Sequence, residues 1–299
     1  MRTDLAQAFT LERFVGWLLG KQSVAELKPP DGVTDRAWRN QTVWCWRIAP
    51  YPEQTGEVYP VILLDGIGVG SLVCLIARTP DYVIGWVWVG WESSTTWAKL
   101  LEQFPNPSVV VCDGQKGILL AIARCWPKAR IQRCIFHVWQ NIRVKLTLHP
   151  QTESGQELLQ LTRDLWHVKT EEQARGWQQK LVSWHTCYQG FIRERTEKSE
   201  NEPGRRRWWY THGRLRSGYY QLHKLLQANQ LFTHLEPTLL AKTNQPIPRT
   251  TNYVEGGINS QLRTKLKLHR GMSEEHQHRL VEWYLYSRTE SPKPTRKFL

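Results

Sequence analysis

Three acidic residues set the chemical question. Asp65 ends the apolar run of "VYPVILLDGIGVG", Val58 to Gly70. Asp113 follows another apolar run in "VVVCDGQKG", and Glu255 lies in "TTNYVEGGINSQLR". Each aspartate is read as a charge carried to a strand end: Asp65 at or near the end of the first strand, Asp113 right after the fourth. Two carboxylates at adjacent strand ends repel, and one takes a proton unless a cation lies between them. Mg²⁺ meets that need, because it is hard and takes oxygen ligands. Glu255 is the candidate third ligand, in the first turns of a helix opened at the Thr-Thr-Asn cap. On that helix Asn252, Glu255 and Asn259 share a face at i, i+3 and i+7. Gly256 and Gly257 weaken the helix by about 1 kcal/mol each relative to alanine, and they allow close approach of a DNA strand or of the sheet.

Blander readings stand beside this one. Asp-Gly pairs are ordinary turn formers, so each aspartate alone reads as a loop residue; the set gains weight only from its placement. "DGIGVG" looks like part of a dinucleotide-binding loop, but that motif needs a helix after the glycines and "SLVCLIAR" is strand-like. Cys134 and His137 form a Cys-x-x-His pair that could ligate zinc, yet no second pair at finger spacing accompanies it. His137 is placed at the end of the fifth strand, near the carboxylates. There it would contact a scissile phosphate or order the site, or simply pack as a hydrogen-bonded histidine.

The elements that must position these residues can be read in order. Residues 10–48 read as two or three short helices, with Phe14, Trp17 and Leu18 at helical spacing and "DRAWRN" opening the last. A helix-turn-helix that reads DNA and a plain packing role both remain open there. Three strands follow, rich in β-branched and aromatic residues and separated by Gly-rich and "TPD" turns, as in an antiparallel meander. Ser93 or Ser94 caps a helix whose Trp97, Leu100, Leu101 and Phe104 face one side. A buried strand, a helix ended by Pro127, a strand "ARIQRCIFH" and a helix "VWQNIRVKL" complete the series. Three strands, helix, strand, helix, strand, helix is the order of the ribonuclease-H-like fold. The expected class is therefore α/β: a ribonuclease-H-like mixed sheet flanked by helices.

Strand signals fade from about Pro150 to Lys242. Trp177, Leu181, Trp184 and Tyr188 recur at i, i+4, i+7 and i+11, as do Leu215, Tyr219, Leu222 and Leu226, so an all-α insertion is expected. The expected division is a helical region 1–50, a first core segment 51–149, the insertion 150–243, final core helices 244–289 carrying Glu255, and a basic tail 290–299. No internal repeat is evident.

The chain of 299 residues has a net charge of +13. Such an excess favours a polyanionic partner, most often nucleic acid. Arg205, Arg206, Arg207, Arg214 and Arg216 are interleaved with Trp208, Trp209 and Tyr210. Arginine neutralises phosphates and an aromatic ring can stack on an unpaired base, so this stretch reads as DNA-binding; a solvated basic loop over a packed tryptophan pair is the alternative. The six cysteines form no Cys-x-x-Cys pair and read as reduced thiols. The start is a poor signal peptide, and no segment approaches a membrane span of about 18 uncharged apolar residues.

At these residues the chain resembles the DDE-class bacterial insertion-sequence transposases of the Mutator-like group. The resemblance rests on "LLDGI", on "VVVCDGQKGILLAIARCWPKARIQRCIFH" with its Cys-x-x-His, on "TTNYVEGGINSQLR", and on a helical insertion between the second aspartate and the glutamate. It runs over roughly Val58 to Ser287. It implies Asp65, Asp113 and Glu255 as the catalytic and metal-binding triad, with Cys134, His137, Asn252 and Asn259 ordering the site. Two Mg²⁺ or Mn²⁺ ions, about 3.5–4 Å apart, are the implied cofactors. Water attack would cleave an element end and attack by a DNA 3′-hydroxyl would join it to a target, with no Tyr or Ser nucleophile. The implied partners are element ends, target DNA and a second copy of the chain, with no membrane and no small-molecule substrate. The implied location is the bacterial cytoplasm. Relatives often carry a longer amino-terminal DNA-binding region, so a shortened front end is expected here. A ribonuclease-H-like nuclease without strand transfer, and a truncated non-catalytic DNA-binding relic, are the other readings.

Overall fold

The computed structural model describes residues 2–22, 24, 26, 34–198, 207–251 and 257–299. β1 (Val61–Val69), β2 (Leu72–Arg78) and β3 (Val83–Val89) form the expected antiparallel meander. β4 (Val109–Cys112) and β5 (Arg130–Arg133) pair in parallel, as the intervening α4 (Lys116–Cys125) requires. The five strands make one mixed sheet in the order β3-β2-β1-β4-β5. β4 is buried along its whole length, as its uninterrupted apolar run implies.

β1 does not stop at Asp65. Asp65 lies opposite Ile76 in mid-strand, and the pairing continues through Gly66, Ile67 and Gly68 to Val69 opposite Leu72. The glycines keep the ladder because backbone N–H and C=O groups pair without a side chain. The turn comes later, at Gly70, whose φ of +61° suits glycine.

Two compact units emerge from the chain path. One comprises Met1–Pro107, Gln115–Lys128 and Asn252–Leu299; the other comprises Ser108–Gly114 and Ala129–Thr251. In the first, α1 is a single 18-residue helix (Arg2–Leu19) rather than a short one, because good helix formers extend it ahead of the periodic stretch. Its Leu11, Phe14 and Leu18 are fully buried. α2 (Asp35–Thr42) starts at Thr34, whose hydroxyl accepts from the Ala37 N–H. Phe14 meets Trp46 edge-on at 4.7 Å, and Trp46 stacks on His276 at 3.8 Å. The amino-terminal helices are thus built into this unit rather than set apart. α3 (Ser94–Leu101) carries a reciprocal capping box between Ser93 and Thr96. α10 (Ser260–Leu268) and α11 (Glu274–Tyr286, capped by Ser273) complete the unit.

The second unit is built on α5 (Ile135–Leu146), α6 (Glu153–Asp164), α7 (Glu171–Tyr188), α8 (Gly213–Gln227) and α9 (Pro237–Thr243). The aromatic stripes are its core: Trp177, Leu181, Trp184, Leu215, Tyr219 and Leu222 are buried together. The buried indoles are satisfied, Trp177 donating to Leu161 O at 2.7 Å and Trp184 to Ser154 O at 3.0 Å. The segment is not wholly helical. β6 (Arg195–Glu197) and β7 (Trp208–Tyr210) form an antiparallel hairpin. Strands of three residues are too short to show a period of two, which is why the pattern hides them. Among the described residues no helix is long and apolar enough to cross a membrane.

One buried histidine in this unit gives a pH prediction. The His234 backbone N–H donates to Gln132 Oε1 at 3.0 Å, and its ring Nδ1 lies 3.0 Å from the same oxygen. Burial first, then the nearby Arg249 charge, pulls the His234 pKa down to about 4. The ring is therefore neutral when folded, while an unfolded chain takes up the proton near the ordinary value of 6.5. Stability from this site is complete above pH 6.5 and falls as pH drops towards 4. Urea unfolding of wild type and His234→Gln across pH 4–7 is expected to show a shallower acid loss in the variant.

Candidate catalytic site

Asp65 is half-buried on β1, beneath the four fully buried residues Val61 to Leu64. Its Oδ1 accepts the Gly66 N–H at 2.9 Å, and its Oδ2 accepts Asn259 Nδ2 at 3.2 Å. Asn259 lies at the end of a π-helical turn over residues 257–259 that leads into α10. Such turns re-aim a side chain by inserting a residue into the helix. Here the turn begins at Gly257, a residue of low helix propensity. Asn259 is 4% exposed, and its Oδ1 has no hydrogen-bond partner among the described residues. A buried acceptor without a donor, beside a carboxylate, suits a hard cation. Asn252 and Glu255 lie outside the described residues. Among the described residues no group of three or more His, Cys, Asp and Glu side chains could hold a metal ion.

Asp113 opens a turn that the second unit holds firmly. Gly114 adopts φ +72°, and the guanidinium of Arg133 occupies the space where its side chain would be: a Cβ there would lie 1.9 Å from Arg133 Cζ. Arg133 is 8% exposed and donates to the Asp113 carbonyl from Nε at 3.1 Å and from Nη2 at 2.6 Å. A planar guanidinium gripping one carbonyl with two N–H groups fixes both distance and direction. Burial pushes the neighbouring Cys112 thiol up to about 12, with the Arg133 charge pulling the other way.

The strand expected over residues 129–137 ends at Arg133, and α5 begins at Ile135. His137 is therefore in the first turn of a helix, not at a strand end, because Cys134 turns the chain. The Cys134 N–H donates to Cys112 O at 2.8 Å, as a continuation of the β4–β5 pairing. Its sulfur accepts from the Thr251 N–H at 3.2 Å and from Thr251 Oγ1 at 3.3 Å, all within a buried pocket. The Ile135 N–H donates to Arg249 O at 3.0 Å. Residues 133–135 thus hold two segments at once: the turn carrying Asp113 and the stretch 249–251 that runs towards Glu255. The Cys-x-x-His cysteine acts here as a sulfur acceptor. Cys134→Ala leaves the Thr251 donors unmatched and is expected to cost about 1–3 kcal/mol in urea unfolding, with Cys134→Ser losing less because it keeps an acceptor.

Of the arginines and tryptophans read as DNA-binding, Arg205 and Arg206 lie outside the described residues. Arg207, Trp208, Trp209 and Arg214 are exposed and Arg216 is half-buried. Arg214 Nη2 donates to Val144 O at 2.5 Å, and Arg216 Nη1 to Ile192 O at 3.4 Å.

Residues 81–201 match the family model described as transposase, Mutator family. Over this stretch the chain is similar to Mutator-family transposases. The matched stretch contains Asp113, Cys134 and His137; Asp65 and Glu255 lie outside it. Two curated relatives agree. One is a transposase for insertion sequence element IS905 from Lactococcus lactis, 31% identical over 33% of this chain and 30% of its own length. The other is a probable transposase for an insertion sequence element from Corynebacterium diphtheriae, 27% identical over 48% of this chain and 44% of its own. The chain spans less than half the length of these relatives.

Sequence reasoning missed Arg133, Thr251 and Glu92. Gly114 signalled a left-handed turn, but nothing in the sequence says which side chain fills the space beside it. Glu92, an exposed residue ahead of α3, sets its carboxylate against Gly66, with Oε1 2.9 Å from where a Cβ would stand. No motif marks it.

Proposed function

We propose that this chain is a DNA transposase of the DDE type, cleaving insertion-sequence ends and joining them to target DNA. The observation that carries the reading is the Mutator-family match over residues 81–201, in which Asp113 sits on a turn clamped by Arg133. Support for a ribonuclease-H-like core comes from the strand order, with Asp65 on β1 and Asp113 directly after β4. Asp65, Asp113 and Glu255 would hold divalent cations, and Asn259 Oδ1 would add an oxygen near Asp65. Mg²⁺ or Mn²⁺, when bound, supplies Lewis-acid stabilisation of a phosphoryl transfer. The chain's own contribution is placement: Asn259 and the Gly66 N–H orient the Asp65 carboxylate, and Arg133 fixes the backbone that carries Asp113. The expected assembly on DNA is a homodimer.

The test uses a duplex carrying the genomic sequence that flanks this reading frame. Mg²⁺-dependent nicking at the element boundary, followed by joining of a pre-cleaved end to a plasmid, is the expected result. Nicking without joining would favour a nuclease; binding without nicking would favour a DNA-binding relic.

A further inference from the structure

The contact between Asn259 and Asp65 hangs on a turn with little strength of its own. That turn opens at Gly257 and takes a π-helical form that helices rarely adopt. The far end of α10 is pinned to α1. His269 Nε2 lies 3.1 Å from Leu18 O, Lys265 Nζ donates to Leu19 O, and the His269 ring meets Trp17 edge-on at 4.9 Å. These contacts fix where α10 ends and leave its first turn to be held by something else.

The hold comes from α11. Tyr284 is 2% exposed, and its hydroxyl donates to Gln261 Oε1 at 2.8 Å and lies 3.4 Å from Gly257 O. Arg288 Nη2 donates to the same Gln261 oxygen at 3.2 Å. Gly257 and Gln261 are four apart and lie on one side of the helix. Asn259 is two from each, roughly 200° round the axis, so it projects from the opposite side. The phenol therefore grips the back of a turn whose front reaches Asp65 Oδ2 at 3.2 Å.

The phenol is set up as a donor. Burial pushes the Tyr284 pKa up, with the Arg288 charge pulling the other way, so the proton stays on the oxygen at neutral pH. The Arg288 guanidinium lies 5.3 Å from the ring centre and the Lys265 ammonium 5.8 Å, so two cations hold the ring as well. Packing alone would need only the ring, and phenylalanine would fill the same space. A hydroxyl whose acceptors span one helical turn has a further task.

We propose that Tyr284 is a positioning residue: through Gln261 and Gly257 it holds the π-turn, so that Asn259 keeps the Asp65 carboxylate in place. Tyr284 acts only through the turn. This role deepens the transposase reading and rests on it for the reaction, while the hold on the turn is measurable without any reaction.

The test pairs hydrogen–deuterium exchange of the full chain with single-turnover nicking of the flanking-sequence duplex. Tyr284→Phe keeps the ring and removes the hydroxyl. Backbone amides over residues 257–263 are expected to exchange about tenfold faster, the worth of one hydrogen bond, while β1 to β3 keep wild-type protection. Nicking should slow about tenfold at unchanged DNA affinity. Gln261→Ala, at an exposed position, removes the acceptor without disturbing the core and should reproduce both effects. The double variant should add little to either. Unchanged exchange over 257–263 in both variants, or faster exchange spread evenly over α11 and the sheet, overturns the inference. So does a loosened turn that still nicks at the wild-type rate, which would leave the transposase reading standing. A wild type that never nicks, with the turn loosened locally in both variants, would support the hold of Tyr284 on the turn and remove the transposase reading.

Discussion

Replacing Gly114 with alanine is expected to be among the most damaging single changes in this protein. Two costs combine. A non-glycine residue at φ +72° loses about 1–2 kcal/mol. The new methyl would also sit inside the Arg133 guanidinium, so that buried side chain must leave. Leaving breaks two charge-assisted hydrogen bonds to Asp113 O, each worth about 1.5–3 kcal/mol. These sum to about 4–8 kcal/mol, and the lower end alone corresponds to a melting midpoint lowered by roughly 10 °C. Thermal unfolding followed by circular dichroism reads it. The double variant Gly114→Ala/Arg133→Ala should lose less than the sum of the two singles, since the clash disappears with the arginine. Additive losses would mean that Arg133 and the turn do not depend on each other.

Asp65→Asn is expected to have the larger effect on chemistry and a small one on folding. The substitution keeps the shape and removes the charge. Its amide oxygen can still accept the Gly66 N–H, but its NH₂ would face the donor of Asn259, so the Asn259 amide must turn over. Exchanging a charge-assisted hydrogen bond for a neutral one costs about 1 kcal/mol of stability. On the proposed reading Asp65 would hold a divalent cation, and its removal would forfeit several kcal/mol of transition-state stabilisation, a rate loss of about 10³-fold or more. Single-turnover nicking of the flanking-sequence duplex measures it, with DNA affinity as the control that should stay near wild type. Nicking that survives in Asp65→Asn would remove Asp65 from the proposed catalytic set.

Much of the scaffold was legible because its signals are strong and local. The meander strands are rich in β-branched residues with clear turns between them, and Ser93 and Ser273 cap the helices they precede. The stripes of α7 and α8 announce a helical core through period alone. Other features were not legible, for physical reasons. Glycine in a strand looks like a turn, so β1 seemed to end at Asp65. Arg133 and Gln132 are buried polar residues at the end of β5, and composition cannot tell a buried arginine gripping a carbonyl from a solvated one. The six residues of the β6–β7 hairpin are too few for any periodic signal. Asp65 and Asp113 were picked out by their apolar approaches, whereas the groups that orient them come from distant stretches that no spacing rule connects.

The order in which the chain is made gives the first unit an unusual birth. Its strands β1 to β3 leave the ribosome early, yet α11, which sets His278 against Val69 O at 3.1 Å and stacks His276 on Trp46, is synthesised only after the whole second unit. Until then the apolar residues that α11 covers have no lid. A nascent polypeptide stalled before α11 cannot complete this unit, so translation itself delays its finished fold until Tyr286 has emerged.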